Sequence, residues 1–436
     1  MRLSGWGRFP VVEAPCLSMR DEAEARRALL GQPSLIARGN GRSYGDAALN
    51  TDCILSTLLS DRILAFDPVQ GRITCEGGLL LSDLLAFLVP RGWFVPVTPG
   101  TKFVTLGGMV AADVHGKNHH GAGTFGAHVE GLTLLTAEGA VRRCSPEEEA
   151  GLFAATLGGM GLTGVILDVS FRLIPIETSA IRQETRRAEG LKEALWQLED
   201  TRGWSYTVAW IDCQAHGARF GRSLVYLGEH ARREEAPGAR LAVPARQARR
   251  VPVDLPGFAL NPWSIRAFNE LYWRGGRPGT ALVDYDTYFY PLDAVLEWNR
   301  IYGGRGFVQY QCVVPREAAA EGIAALLRRI VASGRGSFLA VLKLLGAEGI
   351  GPLSFPMEGY TLALDFPADT ASFNLLLELD AITADHGGRL YLAKDARMGA
   401  TMLRQGYPRL DAFRRIREAL DPERKFASLL SQRLDL

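Results

Sequence analysis

Ala37-Arg38-Gly39-Asn40-Gly41-Arg42-Ser43-Tyr44-Gly45-Asp46 follows the apolar pair Leu35-Ile36 and places three glycines within seven residues. Without a Cβ, such a loop lets backbone N–H groups approach a guest closely, and phosphate is the usual one. The spacing is G-x-G-x-x-x-G, not G-x-G-x-x-G, and no amphipathic helix follows. Both features argue against a nicotinamide-binding Rossmann unit. The same residues spell Gly41-x-Ser43-x-Gly45, the pattern of a serine-hydrolase elbow. That elbow needs a strand before it and a packed helix after it, whereas residues 46–52 are short and polar. A turn without a ligand is the remaining alternative, and the neighbouring arginine weighs against it.

A second stretch has the same character. Pro99-Gly100-Thr101 leads into Thr105-Leu106-Gly107-Gly108-Met109-Val110-Ala111-Ala112-Asp113-Val114-His115-Gly116-Lys117-Asn118-His119-His120. Small residues dominate from Gly107 to Ala112, as expected where backbone packs directly on a ligand. Gly116-Lys117 is no phosphate-binding P-loop, because neither Ser nor Thr follows the lysine. His119 and His120 are adjacent and splay apart, and no cysteine or further histidine lies at ligand spacing, so no metal site is expected. His115, beside the glycines, is the better placed for a site role. The third group is polar residues within apolar strands. Gln309 and Gln311 share a face by the period of two, Lys343 sits inside the run 338–345, and Lys394-Asp395 end the run 389–393. Buried polar groups need partners, so these residues line a cavity or meet one another; exposed strand faces are the alternative.

Between these motifs the chain alternates short strands and helices. Residues 62–66 and 72–76 read as strands joined through Asp67-Pro68 and Gly71. Ser82 is expected to cap a helix over 83–89 that Pro90 and Gly92 end. Strands follow at 132–136 and 140–144, around Glu138-Gly139. Ser145, Pro146 and Glu148 form a capping box for a helix through Thr156. Val165, Leu167, Val169, Phe171 and Leu173 alternate as one strand face. This is α+β rather than a doubly wound sheet.

The character changes near residue 178. Residues 232–250, with Arg232, Arg233, Arg240, Arg246, Arg249 and Arg250, read as an exposed or mobile loop, either a solvated linker or a contact for an anionic surface. Strands at 307–313, 338–345 and 360–366, with a helix over 321–331, then build a second α+β domain.

The 436 residues suit two or three domains at roughly 150 each. A net charge of +1 gives no reason to expect nucleic acid. There is no apolar run of spanning length, and the first ten residues lack the core of a signal peptide. Six scattered cysteines without C-x-x-C read as free thiols in a reducing compartment, which implies a cytoplasmic protein with peripheral membrane attachment left open.

Taken together, these residues resemble the FAD-binding oxidases of the vanillyl-alcohol-oxidase (PCMH) type. Within them, the chain is similar to the branch acting on a polyprenylphosphoryl pentose in mycobacterial cell-wall arabinan synthesis. The likeness includes Gly5-Trp6-Gly7-Arg8, the loop 38–46, Asp113 to His120, Gly158-Gly159, Gly161-Leu162-Thr163-Gly164 and Glu297-Trp298-Asn299-Arg300. It continues through Gln309-Tyr310-Gln311, Leu353-Ser354-Phe355-Pro356, Ala393-Lys394-Asp395 and Tyr407-Pro408-Arg409. It implies a two-domain α+β PCMH-type fold: a FAD-binding domain over 1–178, a substrate domain on an antiparallel sheet over 179–389, and a segment 390–436 returning to the first.

For the cofactor, the resemblance implies Ala37, Arg38, Gly39, Asn40, Gly41, Arg42, Ser43, Tyr44 and Gly45 in the first loop, then Gly100, Thr101, Thr105, Gly107, Gly108, Ala112, Asp113 and His115. Gly161, Val165 and Tyr391 complete that set. Lys394, His115 and Tyr44 would be catalytic. Trp210, Gln309, Gln311, Lys343 and Lys394 would hold the substrate. Relatives that tether FAD do so through a histidine where this chain has Arg42, so non-covalent FAD is expected.

The implied reaction is oxidation of a sugar hydroxyl to a ketone, namely the 2′-OH of a polyprenylphosphoryl-β-D-ribose. This would be the oxidative half of an epimerisation to the arabinose form that a short-chain NAD(P)H reductase completes. Peripheral attachment to the inner membrane face would suit such a lipid-linked substrate. A soluble alditol or aldonolactone oxidase of the same type is the alternative; a serine hydrolase using Ser43 and a non-catalytic FAD binder are others. Ala363, Thr361 and Phe289 stand where the branch carries a cysteine, an asparagine and a tyrosine. The missing cysteine predicts insensitivity to covalent nitro-aromatic inhibitors.

Overall fold

The computed structural model describes residues 1–244, 248–257 and 260–436. Apolar runs on either side of the first glycine loop form a small parallel sheet in which Ile54–Ser56 lies between Cys16–Ser18 and Ile36–Arg38. Helix Glu22–Leu30, capped by the Asp21 carboxylate on the Glu24 N–H, buries Ala25, Ala28 and Leu29 beside it. A second, five-stranded antiparallel sheet runs in the order Val141–Cys144, Val129–Leu135, Val165–Arg172, Arg72–Glu76, Ile63–Asp67. Helices Leu81–Leu88 and Leu106–Ala111 join its core through Leu84, Leu88, Leu106 and Met109.

Three local expectations change here. Ser82 lies inside its helix, whose N-cap is Leu80 without a side-chain bond; the Ser82 hydroxyl donates to Asp83. The Ser145 hydroxyl accepts from Glu147 and Glu148 in a separate turn, and the helix begins only at Ala150, after Glu149 adopts φ +51. A bulge at Leu167 divides the strand Val165–Arg172: Val165 joins the core under the first helix, while Val169 and Phe171 join the core of the second sheet. The alternation was legible, but not the extra residue that turns it.

From residue 180 the chain builds an eight-stranded antiparallel sheet. Its order is Gly279–Asp284, Ala180–Ala188, Ser223–His230, Tyr206–Ile211, Ala340–Leu345, Gly359–Pro367, Phe307–Pro315, Arg389–Leu390. Helices Ala319–Ser333 and Thr370–Asp385 bury Ile323, Leu326, Leu375 and Leu379 in one core with Leu342, Leu344, Leu362 and Leu364. The period of two then turns Val341 and Lys343 to the opposite side.

After Leu390 the chain returns to the first glycine loop. Ala393 O accepts from Tyr44 N–H at 3.0 Å, Ala427 N–H reaches Leu35 O at 3.0 Å, and Leu429 N–H reaches Leu49 O at 2.8 Å. Arg433 pairs with Asp46 at 2.9 Å. In the arginine-rich stretch, Arg232, Arg233, Arg240, Arg249 and Arg250 are exposed; Arg246 lies outside the described residues. Arg249–Arg250 forms a short strand parallel to Val295–Leu296, so that end of the stretch is paired rather than a free loop. All six cysteines are free. No helix among the described residues is long and apolar enough to cross a membrane.

Candidate active site

A cavity of about 700 Å³ lies between the two glycine-rich stretches and the open face of the eight-stranded sheet. Its first wall is mostly backbone. A Cβ on Gly39 would fall 2.1 Å from Thr105 Oγ1, and one on Gly41, at φ +63, would fall 2.2 Å from the Arg38 guanidinium. Arg38 donates to Ser4 O at 2.7 Å and Ala48 O at 3.3 Å, which anchors the loop from behind. Asn40 Nδ2 donates to Phe103 O at 2.8 Å and joins the two glycine stretches. Thr105 caps the helix Leu106–Ala111 by accepting from Gly108 N–H at 3.3 Å. Gly100 leaves open space where a side chain would stand. The Arg42 guanidinium lies 4.0 Å over the Trp6 ring, and Tyr391 donates its hydroxyl to Ala112 O at 2.9 Å.

The second wall is side chain. Gln309 Nε2 donates to Asp365 at 2.7 Å. Gln311 Nε2 donates to His115 Nε2 at 3.1 Å and Thr361 Oγ1 at 3.3 Å, which makes that histidine nitrogen the acceptor and leaves Nδ1 without a protein partner. Burial, reinforced by Lys343, His119 and Lys394, holds His115 well below the usual histidine range, so its ring is neutral. The Lys394 ammonium lies 3.7 Å over the Tyr44 ring. Burial lowers Lys394 while Asp365 opposes that shift; burial raises Asp365 in turn. Trp210 closes this side, its Nε1 donating to Phe338 O at 3.2 Å.

Most of the expected site residues meet in this one cavity: Ala37 to Tyr44, Gly100, Thr101, Thr105, Gly107, Gly108, Ala112, His115, Gly161, Trp210, Gln309, Gln311, Lys343, Tyr391 and Lys394. Three expected cofactor residues stand outside its wall. Gly45 packs on the Asp395 backbone, where a Cβ would fall 1.9 Å from the carbonyl oxygen. The Asp113 carboxylate accepts from Ser354 Oγ and, at 3.0 Å, from Gly126 N–H, holding the loop from beneath. Val165 is buried in the core under helix Glu22–Leu30.

Ser43 has strand Ile36–Arg38 before it but no helix after it, so the elbow geometry is missing. His119 accepts from Gly346 N–H at 3.0 Å, and His120 bonds Trp204 O at 2.8 Å. Sequence reasoning missed Lys117, Asp365, Trp6, Asp293 and Tyr272. Asp365 had a legible signal, an acid inside an apolar strand opposite Gln309. Trp6 stood in the quoted run Gly5–Arg8 without a role of its own, and Tyr272 had no signal, because it arrives from a distant segment.

The chain is 38% identical to decaprenylphosphoryl-β-D-ribose oxidase of Mycolicibacterium smegmatis, over all of this chain and 97% of the relative. It belongs to that family. An uncharacterised Streptomyces coelicolor protein is 37% identical over 82% of this chain and its own full length. L-gulonolactone oxidase of Bos taurus is 32% identical over 37% of this chain and 36% of its own. The FAD binding domain family matches residues 25–145, and the D-arabinono-1,4-lactone oxidase family matches residues 365–434.

A member of the decaprenylphosphoryl-ribose oxidase family is an FAD-dependent oxidoreductase acting on CH–OH groups, with the α+β PCMH-type fold. The cavity fits FAD: one wall is glycine-rich backbone, and the buried nitrogens Arg42 Nε and His115 Nδ1, without a hydrogen-bond partner among the described residues, are free to bond a ligand. Residues 37–44 and 100–108 would hold the phosphates and adenine side, and Ala112, His115 and Tyr391 the ring.

Proposed function

We propose that the chain oxidises the 2′-OH of a polyprenylphosphoryl-β-D-ribose to a ketone with non-covalent FAD. The full-length match to decaprenylphosphoryl-β-D-ribose oxidase carries this reading. FAD supplies the hydride acceptor for the carbinol carbon. Lys394 holds the sugar hydroxyl and, once it has taken the hydroxyl proton, provides positive charge on the side of the departing hydride, with Asp365 favouring that charged form. Burial holds Lys394 at about 7, so its neutral amine form is available to take the hydroxyl proton at Nζ and becomes the ammonium as the hydride leaves the carbinol carbon. Gln309 is fixed on Asp365 and Gln311 on His115 and Thr361, and both orient the sugar. Neutral His115 positions substrate without adding charge. Tyr44, stacked under Lys394, excludes water from the ammonium.

The reaction would be the oxidative half of an epimerisation that a short-chain NAD(P)H reductase completes. A cytoplasmic enzyme touching the membrane surface suits the lipid-linked substrate. Helix Pro262–Gly275 supports that contact better than the arginine-rich stretch does. Trp263 and Leu271 on it are 78% and 71% exposed, Arg266 and Arg274 flank them, and Phe268 and Tyr272 continue into the cavity wall.

Product analysis tests the substrate. A short-chain prenylphosphoryl riboside should yield the 2′-ketone, and alditols and aldonolactones little. Faster turnover of an aldonolactone would return the alternative reading.

A further inference from the structure

Lys117 and Lys343 lie together at one end of the cavity, on the side of the eight-stranded sheet. Pairing of Ala209 with Leu342 brings Lys343 level with Val208, and the adjacent Thr207 N–H donates to Lys117 O at 2.8 Å. The Lys117 ammonium donates to Tyr288 O and lies 4.1 Å over the Tyr288 ring. Among the described residues, Lys343 has no hydrogen bond or ion pair and neither lysine is paired with a carboxylate. Lys394 differs, because Asp365 compensates it.

Two neighbouring lysines lining a cavity without a counter-charge are costly to keep charged together. Burial and Lys343 hold Lys117 down at about 7, and burial holds Lys343 at about 8. Of the other ionisable groups facing them, His115 and His119 are held neutral by burial, burial keeps the Tyr288 phenol protonated, and Lys394 adds a further cation, so none brings negative charge. The missing partner is an anion brought by the ligand. Residues 37–44 and 100–108, which suit the FAD phosphates, belong to the glycine wall, whereas Lys343 stands on the sheet and Lys117 ends the second stretch where it packs on that sheet.

We propose that Lys117 and Lys343 seat the phosphate of the substrate, one phosphodiester bridging the two ammonium groups, and that they set the preference for phosphorylated over phosphate-free glycosides. This rests on the proposed substrate and assigns its charged group to particular residues.

The test uses the FAD-loaded enzyme and reads perturbation of the flavin absorbance on titration with farnesyl phosphate, farnesol and inorganic phosphate. Farnesyl phosphate should bind about tenfold or more tighter than farnesol, the scale of a charge-assisted hydrogen bond. Lys117→Met and Lys343→Met should each collapse that ratio toward one, Lys117→Arg should restore part of it, and the exposed control Lys192→Met should leave it in place. Inorganic phosphate should bind far more weakly than the prenyl ester. A ratio surviving in both methionine variants, or no preference in the native enzyme, overturns the proposal. Inorganic phosphate binding as tightly as farnesyl phosphate overturns the diester seat in favour of a free-anion site. Loss of the ratio in an enzyme that leaves prenylphosphoryl ribosides unoxidised would support the anion seat and sink the proposed reaction instead.

Discussion

The two walls of the cavity recognise their guests by different means. The glycine wall is shaped by backbone held from behind: Arg38 on Ser4 and Ala48, Asn40 on Phe103, and Asp113 on Gly126. The sheet wall is strand backbone carrying side chains, and Gln309, Gln311, Lys343 and Trp210 line the cavity from it. A cofactor shared by a superfamily suits the first construction, and a substrate particular to one branch suits the second. Substitutions on the glycine wall should therefore cost flavin, and substitutions on the sheet wall should cost turnover or selectivity while flavin stays.

The largest expected effect belongs to Lys394→Ala. It should lower kcat about 10²–10³-fold, the cost of losing one preorganised charge at the reacting centre, with the flavin spectrum retained. Loss of flavin together with activity would erase the distinction between the walls. Gly39→Ala comes next. Its Cβ would press on Thr105, so flavin affinity should weaken by about 1–3 kcal/mol, measured by FAD retention on dialysis. Full retention would show that the tight approach is dispensable.

The pH dependence sharpens the sheet wall further. Lys117, held at about 7, carries its charge below that pH and loses it above. Rising pH should therefore raise KM for a phosphorylated substrate through the range of about 7 to 8, by at most about tenfold per unit. A flat profile would mean that charge at Lys117 is irrelevant. The mildest change is Ala363→Cys in the cavity wall. The native protein should form no adduct with a nitro-aromatic inhibitor, and the variant should gain one by mass spectrometry with turnover little altered. An adduct on the native protein would contradict the reading of Ala363.

The sequence exposed the glycine wall because its chemistry is compositional: Gly39, Gly41, Gly107 and Gly108 are legible wherever they fold. Gln309, Gln311 and Lys343 were legible because a period of two puts polar residues on one face of an apolar strand. Lys117 was hidden, since its partner is the Tyr288 carbonyl and backbone contacts leave no mark in side-chain spacing. Asp113, Gly45 and Val165 sit inside the right motifs yet face away, because a motif names a loop and only packing decides which side of it meets the cavity. The delayed start of helix Ala150–Thr156 has a similar cause: Glu149 takes a left-handed turn that the capping pattern before it does not announce.

The most direct measurement is the anaerobic reaction of the FAD-loaded enzyme with a prenylphosphoryl-β-D-riboside, read by flavin absorbance and product mass. The account predicts stoichiometric bleaching of the flavin and a product lighter by two hydrogens, with the ketone at C2′. An oxidised flavin that stays unbleached with this substrate, yet bleaches with an aldonolactone or alditol, would contradict it.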